Sequence, residues 1–390
     1  MPSKVLVIGG GQAGINITTA LREFGYSGQI TLAGEEDELP YQRPPLSKGL
    51  LAGTESPGAL ALRNREYFEH QRIDLLTGER VIRLEWLTPD GGGVATTQSG
   101  RDLGFDRLAF TLGGTPRLLP TFPVGPGVHY LRTLADSCRL AEQLGQARSV
   151  VIVGGGFIGL EVAAVARQGG CAVTVLEASS QLMGRVVSPA VSEMCRRYHE
   201  CQGTHVVLDA VVERPLYDSG VLVGVRDSSG CDWEADLVLV AVGMEPRTDL
   251  AESAGLDVAG GIVVDRYART SRRGVVAAGD CTIVRAESSI PAIRLESVPN
   301  ALAQGQAAAA SLLDLPTQER TATPWFWSNQ GKLRLQMVGL PAVDDDVTEV
   351  RFDDDPSRLS LLFHRQGRLV GGQFLNSPAD FMKARRALSS

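Results

Sequence analysis

Residues 150–177 read VVIVGGGFIGLEVAAVARQGGCAVTVLE. The apolar run VVIV ends at a glycine turn in which Gly154, Gly156 and Gly159 have the order G-x-G-x-x-G. A helical stretch follows, and a second apolar run, VTVL, ends on Glu177. The sequence predicts strand, turn, helix and strand, a complete dinucleotide-binding βαβ unit. The first glycine permits the tight turn, the second lets the backbone approach a pyrophosphate, and the third lets helix pack on strand. The start of the helix offers free N–H groups and a partial positive charge to phosphates. Glu177 is expected to accept hydrogen bonds from the ribose hydroxyls. A carboxylate there repels a 2′-phosphate and so favours NADH over NADPH.

The same unit occurs near the N-terminus. Residues 5–35 read VLVIGGGQAGINITTALREFGYSGQITLAGE, with Gly9, Gly11 and Gly14 after VLVI and Glu35 closing the next strand. Two such units imply two nucleotide-bearing cofactors brought face to face. The expected fold is α/β: two Rossmann-like dinucleotide-binding domains plus a small α+β C-terminal domain.

The 390 residues suffice for two or three domains, and 43% hydrophobic with 21% charged residues is ordinary for a globular protein. No apolar run reaches the roughly 20 residues of a membrane span, and strand VLVI begins too early for a signal peptide. A cytoplasmic protein with no membrane partner is expected. The net charge of −7, with no basic cluster against it, argues against nucleic acid. The stretch Asp344–Pro356 supplies much of the acidity and reads as a solvated loop and strand edge. The cysteines are Cys138, Cys171, Cys195, Cys201, Cys231 and Cys281. Their spacing suits neither a metal site nor a disulfide framework, so no metal is expected.

Along the chain, residues 36–62 are rich in Pro and Gly and carry Arg43 and Lys48. The segment Thr115–Gly127 reads as a Pro-rich linker, and Ser297–Asp314 as an Ala-rich helix with Ser297 as cap and Pro299 in the first turn. The expected domains are 1–114 with 243–319 for the first nucleotide, 115–242 for the second, and 320–390 as the C-terminal α+β domain.

The order of motifs resembles one family. GGGQAG, YQRPPLSK at 41–48, TLGGTPR at 111–117 and GGGFIGLE at 154–161 are followed by GVVAAGD at 274–280, ESVPNALAQG at 296–305 and PWFWSNQG at 324–331. Together they resemble the FAD-dependent ferredoxin reductases of the glutathione-reductase-like class. Within it they are most similar to the reductase components of bacterial aromatic-ring dioxygenase systems and to putidaredoxin and rubredoxin reductases.

The resemblance implies FAD on the first unit and NADH on the second. Gly9, Gly11, Gly14, Glu35, Arg43, Lys48, Gly113, Asp280 and Val298 would contact FAD, Asp280 at the ribityl chain. Gly154, Gly156, Ile158, Gly159, Glu161, Glu177, Arg185 and Gly243 would contact NADH, Glu161 beside the nicotinamide. Lys48, Glu161 and Trp327 would be the catalytic set, with Trp327 bordering the flavin and the electron exit. A cation near the flavin also stabilises its reduced form. Three positions depart from the family pattern: Leu112 replaces a threonine, Val298 an aromatic residue, and Asn329 an aspartate.

Disulfide reductases of this fold carry C-x4-C shortly after the first unit, and peroxide and NADH oxidases carry one cysteine there. Residues 36–62 contain none. The implied function is therefore NADH:ferredoxin oxidoreduction. Electrons pass through FAD to an acidic [2Fe–2S] ferredoxin that feeds an oxygenase, with Arg63, Arg65, Lys332 and Arg334 as the candidate docking cations. The protein would be a monomer or homodimer. The neighbouring alternatives are a rubredoxin reductase, an NADH oxidase, and a redox-signalling flavoprotein of apoptosis-inducing-factor type.

Overall fold

The computed structural model describes residues 2–285, 292–316, 323–352 and 355–389. The expected boundary at 319/320 lies outside them. By contact the chain divides into two compact units. The first is Met1–Gln42, Leu60–Thr115 and Glu245–Ala322; the second is Arg43–Ala59, Pro116–Met244 and Thr323–Ser390.

The first unit holds a parallel sheet in the order Val275–Ala277, Arg107–Phe110, Lys4–Ile8, Gln29–Ala33, Ile73–Leu76. Both faces are covered, so its central strands are continuous apolar runs. Val5 and Val7 join the core with Ile17 and Leu21 of the helix Gln12–Glu23 and Ala308 of the helix Val298–Leu312. Leu6 and Ile8 point the other way, into a core with Val81, Phe105 and Phe110. That face is backed by an antiparallel sheet, Val81–Trp86, Gly93–Thr97 and Asp102–Phe105.

The second unit repeats the plan. Its parallel sheet runs His205–Val207, Ala172–Leu176, Ser149–Val153, Leu237–Val240, Val128–His129. A three-stranded antiparallel sheet, Val212–Asp218, Val221–Asp227 and Asp232–Glu234, covers one face. The helices Phe157–Gln168 and Pro189–Cys201 lie in this unit too. Residues 325–375 form a five-stranded antiparallel sheet whose edge strand, Asp346–Arg351, is exposed throughout. Leu333, Leu335, Leu361 and Leu375 of that sheet share one core with Leu160, Val191 and Cys195. The acidic stretch is not wholly solvated: Asp345 is buried and paired with Arg365 at 2.7 Å.

Residues 43–59, which the sequence groups with the first block, cluster with the second unit. Ser137 of the helix Leu134–Leu144 donates to the Leu46 carbonyl at 2.7 Å, and Lys48 pairs with Glu161. No helix among the described residues is long and apolar enough to cross a membrane.

Candidate cofactor-binding and electron-transfer site

The glycines of the two turns have distinct reasons. Gly9 and Gly154 adopt φ of +117° and +106°. A Cβ there would meet the Thr111 carbonyl oxygen at 2.1 Å and the Ala241 carbonyl oxygen at 2.5 Å. At Gly14 and Gly159 a Cβ would stand 2.1 and 2.3 Å from the carbonyl oxygens of Gly9 and Gly154. These four glycines are required by the protein's own backbone. Gly11 and Gly156 are different: their φ values are −84° and −80°, and a Cβ on either would meet nothing within 4 Å.

Both open glycines are helix N-caps, and neither helix receives a side-chain capping bond. Four other helices are capped, the side chains of Asn64, Thr133, Ser188 and Ser297 each accepting a backbone N–H, whereas Thr248 before the short helix Asp249–Ser253 makes no such bond. Two uncapped helix starts, each behind a cradle that no side chain of the described residues fills, fit a pyrophosphate at each. The residues present thus fit two bound dinucleotides.

Around the second cradle, one Glu177 oxygen accepts from Gly155 N–H at 2.6 Å, and the other from Ser179 N–H and hydroxyl at 2.9 and 2.7 Å. The acid expected to meet the ribose hydroxyls therefore also braces the turn. Ionised carboxylate oxygens retain further lone pairs for ribose hydroxyls. Ile158, in the helix's first turn, is 36% exposed beside the glycines. The Arg185 guanidinium lies 3.6 Å from where a Gly243 Cβ would stand. Around the first cradle, Glu35 pairs with Arg247 at 2.5 Å. Thr111 donates its hydroxyl to the Gly9 carbonyl at 2.8 Å, while Leu112 packs into the core below the sheet.

Asp280 follows Gly279, whose φ is +87°, just beyond the strand Val275–Ala277. No local sequence pattern marks what holds this turn. Gln304 Oε1, on the Ala-rich helix, accepts from Gly279 N–H at 2.8 Å and from Thr282 hydroxyl at 3.1 Å. Asn300, one turn earlier, donates to the same oxygen at 3.2 Å and to Leu295 carbonyl at 2.7 Å. Val298 is half-buried at the start of that helix, behind the Ser297 cap, and Gly113 turns with φ of +66°.

Glu161 lies in the second turn of its helix and is 5% exposed, too deep to be a solvated first-turn acid. Lys48 Nζ and the Ser47 hydroxyl donate to one of its oxygens at 2.6 and 2.5 Å; the Ser328 hydroxyl donates to the other at 2.7 Å. Lys48 also donates to the Pro44 carbonyl at 2.9 Å. Arg43 donates to the Arg132 carbonyl at 2.8 Å. Ser47 and Ser328 were legible only as neighbours of Lys48 and Trp327. Trp327 is half-buried and stacks on Trp325 at 5.3 Å between ring centres, and Arg385 lies over Trp325 at 4.6 Å.

Residues 3–305 match the family described as pyridine nucleotide-disulphide oxidoreductase, and residues 325–390 match the reductase C-terminal family. The chain belongs to the pyridine nucleotide-disulphide oxidoreductase family. It is 40% identical to rhodocoxin reductase of Rhodococcus erythropolis, over 99% of this chain and 90% of that protein. It is 37% identical to the ferredoxin–NAD(+) reductase component of the p-cumate 2,3-dioxygenase system of Pseudomonas putida, covering 98% and 92%. The crystal structure of the covalent putidaredoxin reductase–putidaredoxin complex matches with a TM-score of 0.92 at 33% identity, covering 99% of this chain and 93% of that one. The chain is thus an NAD(P)H-dependent oxidoreductase of the two-dinucleotide fold.

The family name refers to disulphide chemistry, yet the thiols here are ill placed for it. Cys171, Cys195 and Cys281 are buried. Burial raises all three, Cys195 to about 12 and Cys281 to about 11. The thiolate is the reactive form, so these are inert at neutral pH. Cys138, Cys201 and Cys231 are exposed. Titration of the native protein with an aromatic disulfide reagent is expected to count three fast thiols, rising to six on denaturation. A buried thiol that reacts as fast as the exposed three would contradict this reading.

Proposed function

We propose that this chain transfers electrons from NADH through FAD to an acidic [2Fe–2S] ferredoxin that serves an oxygenase in the cytoplasm. The observation that carries the reading is the pair of open glycines, Gly11 and Gly156. The protein's own packing leaves their side-chain space empty, and each stands before an uncapped helix. Bound FAD supplies the conversion of a two-electron donor's reducing equivalents into single electrons. In this reading residues 1–114 with 243–319 hold FAD, 115–242 hold NADH, and 320–390 serve the partner. Asp280, next to the Gly279 N–H that Gln304 holds, would orient the ribityl chain, and Lys48 and Glu161 would serve the reacting rings.

Glu177 supports NADH over NADPH, since a fixed carboxylate opposes a 2′-phosphate. The ferredoxin assignment draws on a relative's name: the p-cumate 2,3-dioxygenase system component is a ferredoxin–NAD(+) reductase. Exposed Arg63, Arg65, Lys332 and Arg334 are the docking cations for an acidic partner.

Anaerobic titration with NADH tests the proposal. The purified chain is expected to carry FAD, and one NADH to bleach it. The kcat/KM for NADH should exceed that for NADPH by at least about tenfold, the effect of one opposed charge pair of about 1.4 kcal/mol. A chain without FAD, or a flavin that NADH does not bleach, sinks the reading; a preference for NADPH sinks the choice of donor.

A further inference from the structure

The strand Trp325–Gln330 is fastened to two helices of its unit by alternate side chains. The Phe326 ring lies 4.6 Å from the Phe157 ring, Ser328 donates to Glu161 at 2.7 Å, and Gln330 Oε1 meets His199 Nε2 at 2.9 Å. Phe157 and Glu161 stand four residues apart on a helix, a rise of about 6 Å. Phe326 and Ser328 stand two apart on a strand, a rise of about 6.6 Å. The two spacings match, so the strand seats in one register. A slip of one residue would turn Trp327 towards Glu161 and Ser328 away from it.

The polar members are fully enclosed: Ser328 and Gln330 are 0% exposed and His199 is 1% exposed. An amide oxygen only accepts, so His199 Nε2 carries the proton of that bond. The Gln330 amide nitrogen faces Ser328 Oγ at 3.5 Å and Met183 Sδ at 3.6 Å. Ser328 has one proton, and it is given to Glu161. From His199 through Gln330 to Ser328 one donor at each step therefore points towards the carboxylate, while the second Gln330 amide proton is left to Met183. Burial also lowers the pKa of His199, which keeps its ring neutral. Buried hydrogen-bonded rows polarise one another, and a gap in one leaves its neighbours unsatisfied.

We propose that Ser328, Gln330 and His199 are positioning residues that hold the Glu161 carboxylate in the orientation that pairs it with Lys48. The row stands on geometry alone; its effect on hydride transfer rests on the function proposed above.

The test uses the holoenzyme and two readouts. The first is the Nε2-bound proton signal of His199 in protein labelled with nitrogen-15 histidine, which contains only His70, His129, His199, His205 and His364. The second is anaerobic stopped-flow, which separates the rate constant of flavin reduction from the NADH dissociation constant. Ser328→Ala and Gln330→Leu should each move the His199 signal. Each should also slow flavin reduction about tenfold, the loss of one buried hydrogen bond, with NADH affinity held within about twofold. Ser328→Thr, which keeps the hydroxyl, should restore both. Equal losses in Ser328→Ala and Ser328→Thr, or a His199 signal unmoved by either Ser328→Ala or Gln330→Leu, would overturn the proposal. Should NADH fail to reduce the unsubstituted holoenzyme, the proposed function falls, and the His199 signal alone then decides the row.

Discussion

Gly156→Ala is expected to fold normally and to lose most of its affinity for NADH. Its φ of −80° and ψ of −177° are ordinary for any residue, and the added Cβ meets nothing within 4 Å. The stability loss is that of a weaker N-cap, no more than about 1 kcal/mol. The methyl group would occupy the space through which the pyrophosphate approaches. Overpacking of this kind costs about 1–3 kcal/mol, or roughly 5- to 150-fold in dissociation constant. Gly11→Ala should act in the same way on FAD, giving a folded chain that purifies with less flavin. Gly154→Ala is the control with the opposite cause. Its Cβ would sit 2.5 Å from the Ala241 carbonyl oxygen at a φ of +106°, so the fold itself should suffer. Unfolding midpoints and NADH titrations separate the two. Unchanged NADH affinity in Gly156→Ala would remove the second turn from the nucleotide site.

Lys48→Met is expected to destabilise the second unit by about 3 kcal/mol. It strands a carboxylate whose side chain is 6% exposed, with hydroxyl donors but no cation. The double change Lys48→Met with Glu161→Leu should lose less than Lys48→Met alone, because no buried charge then remains unpaired. Both variants should reduce flavin at least about 100-fold more slowly, in the range found when one preorganised electrostatic contact is removed. Urea unfolding reads the first effect and anaerobic stopped-flow the second. A double variant with recovered stability and an unimpaired rate would make the pair a structural element only.

The glycine turns were legible because they are local. A turn, a cap and the next strand lie within about 30 residues, and steric limits on φ leave glycine as the one residue that fits at Gly9 and Gly154. The Ala-rich helix was legible for the same reason: Ser297 caps it by accepting Asn300 N–H at 3.2 Å. Glu161 was legible as a motif residue but not in its setting. Nothing in the order of residues says that Ser47, from 114 residues earlier, and Ser328, from 167 later, close on one carboxylate. Gln304 was missed because its partner, the turn at Gly279, lies 25 residues earlier in the chain.

The sequence by itself determined that two dinucleotide units stand in one chain, and that residues 36–62 hold no cysteine for a thiol relay. Both follow from short-range patterns in which backbone sterics or side-chain identity are decisive. Only the tertiary structure decided that Gly11 and Gly156 answer to no neighbour among the described residues. It also decided that residues 43–59 pack with the second unit, and that Glu161 is the acceptor of a row running from Lys48 through Ser328 to the neighbourhood of His199. Buried polar groups take whichever partners the fold encloses with them, and that enclosure is set by sheets and helices distant in sequence.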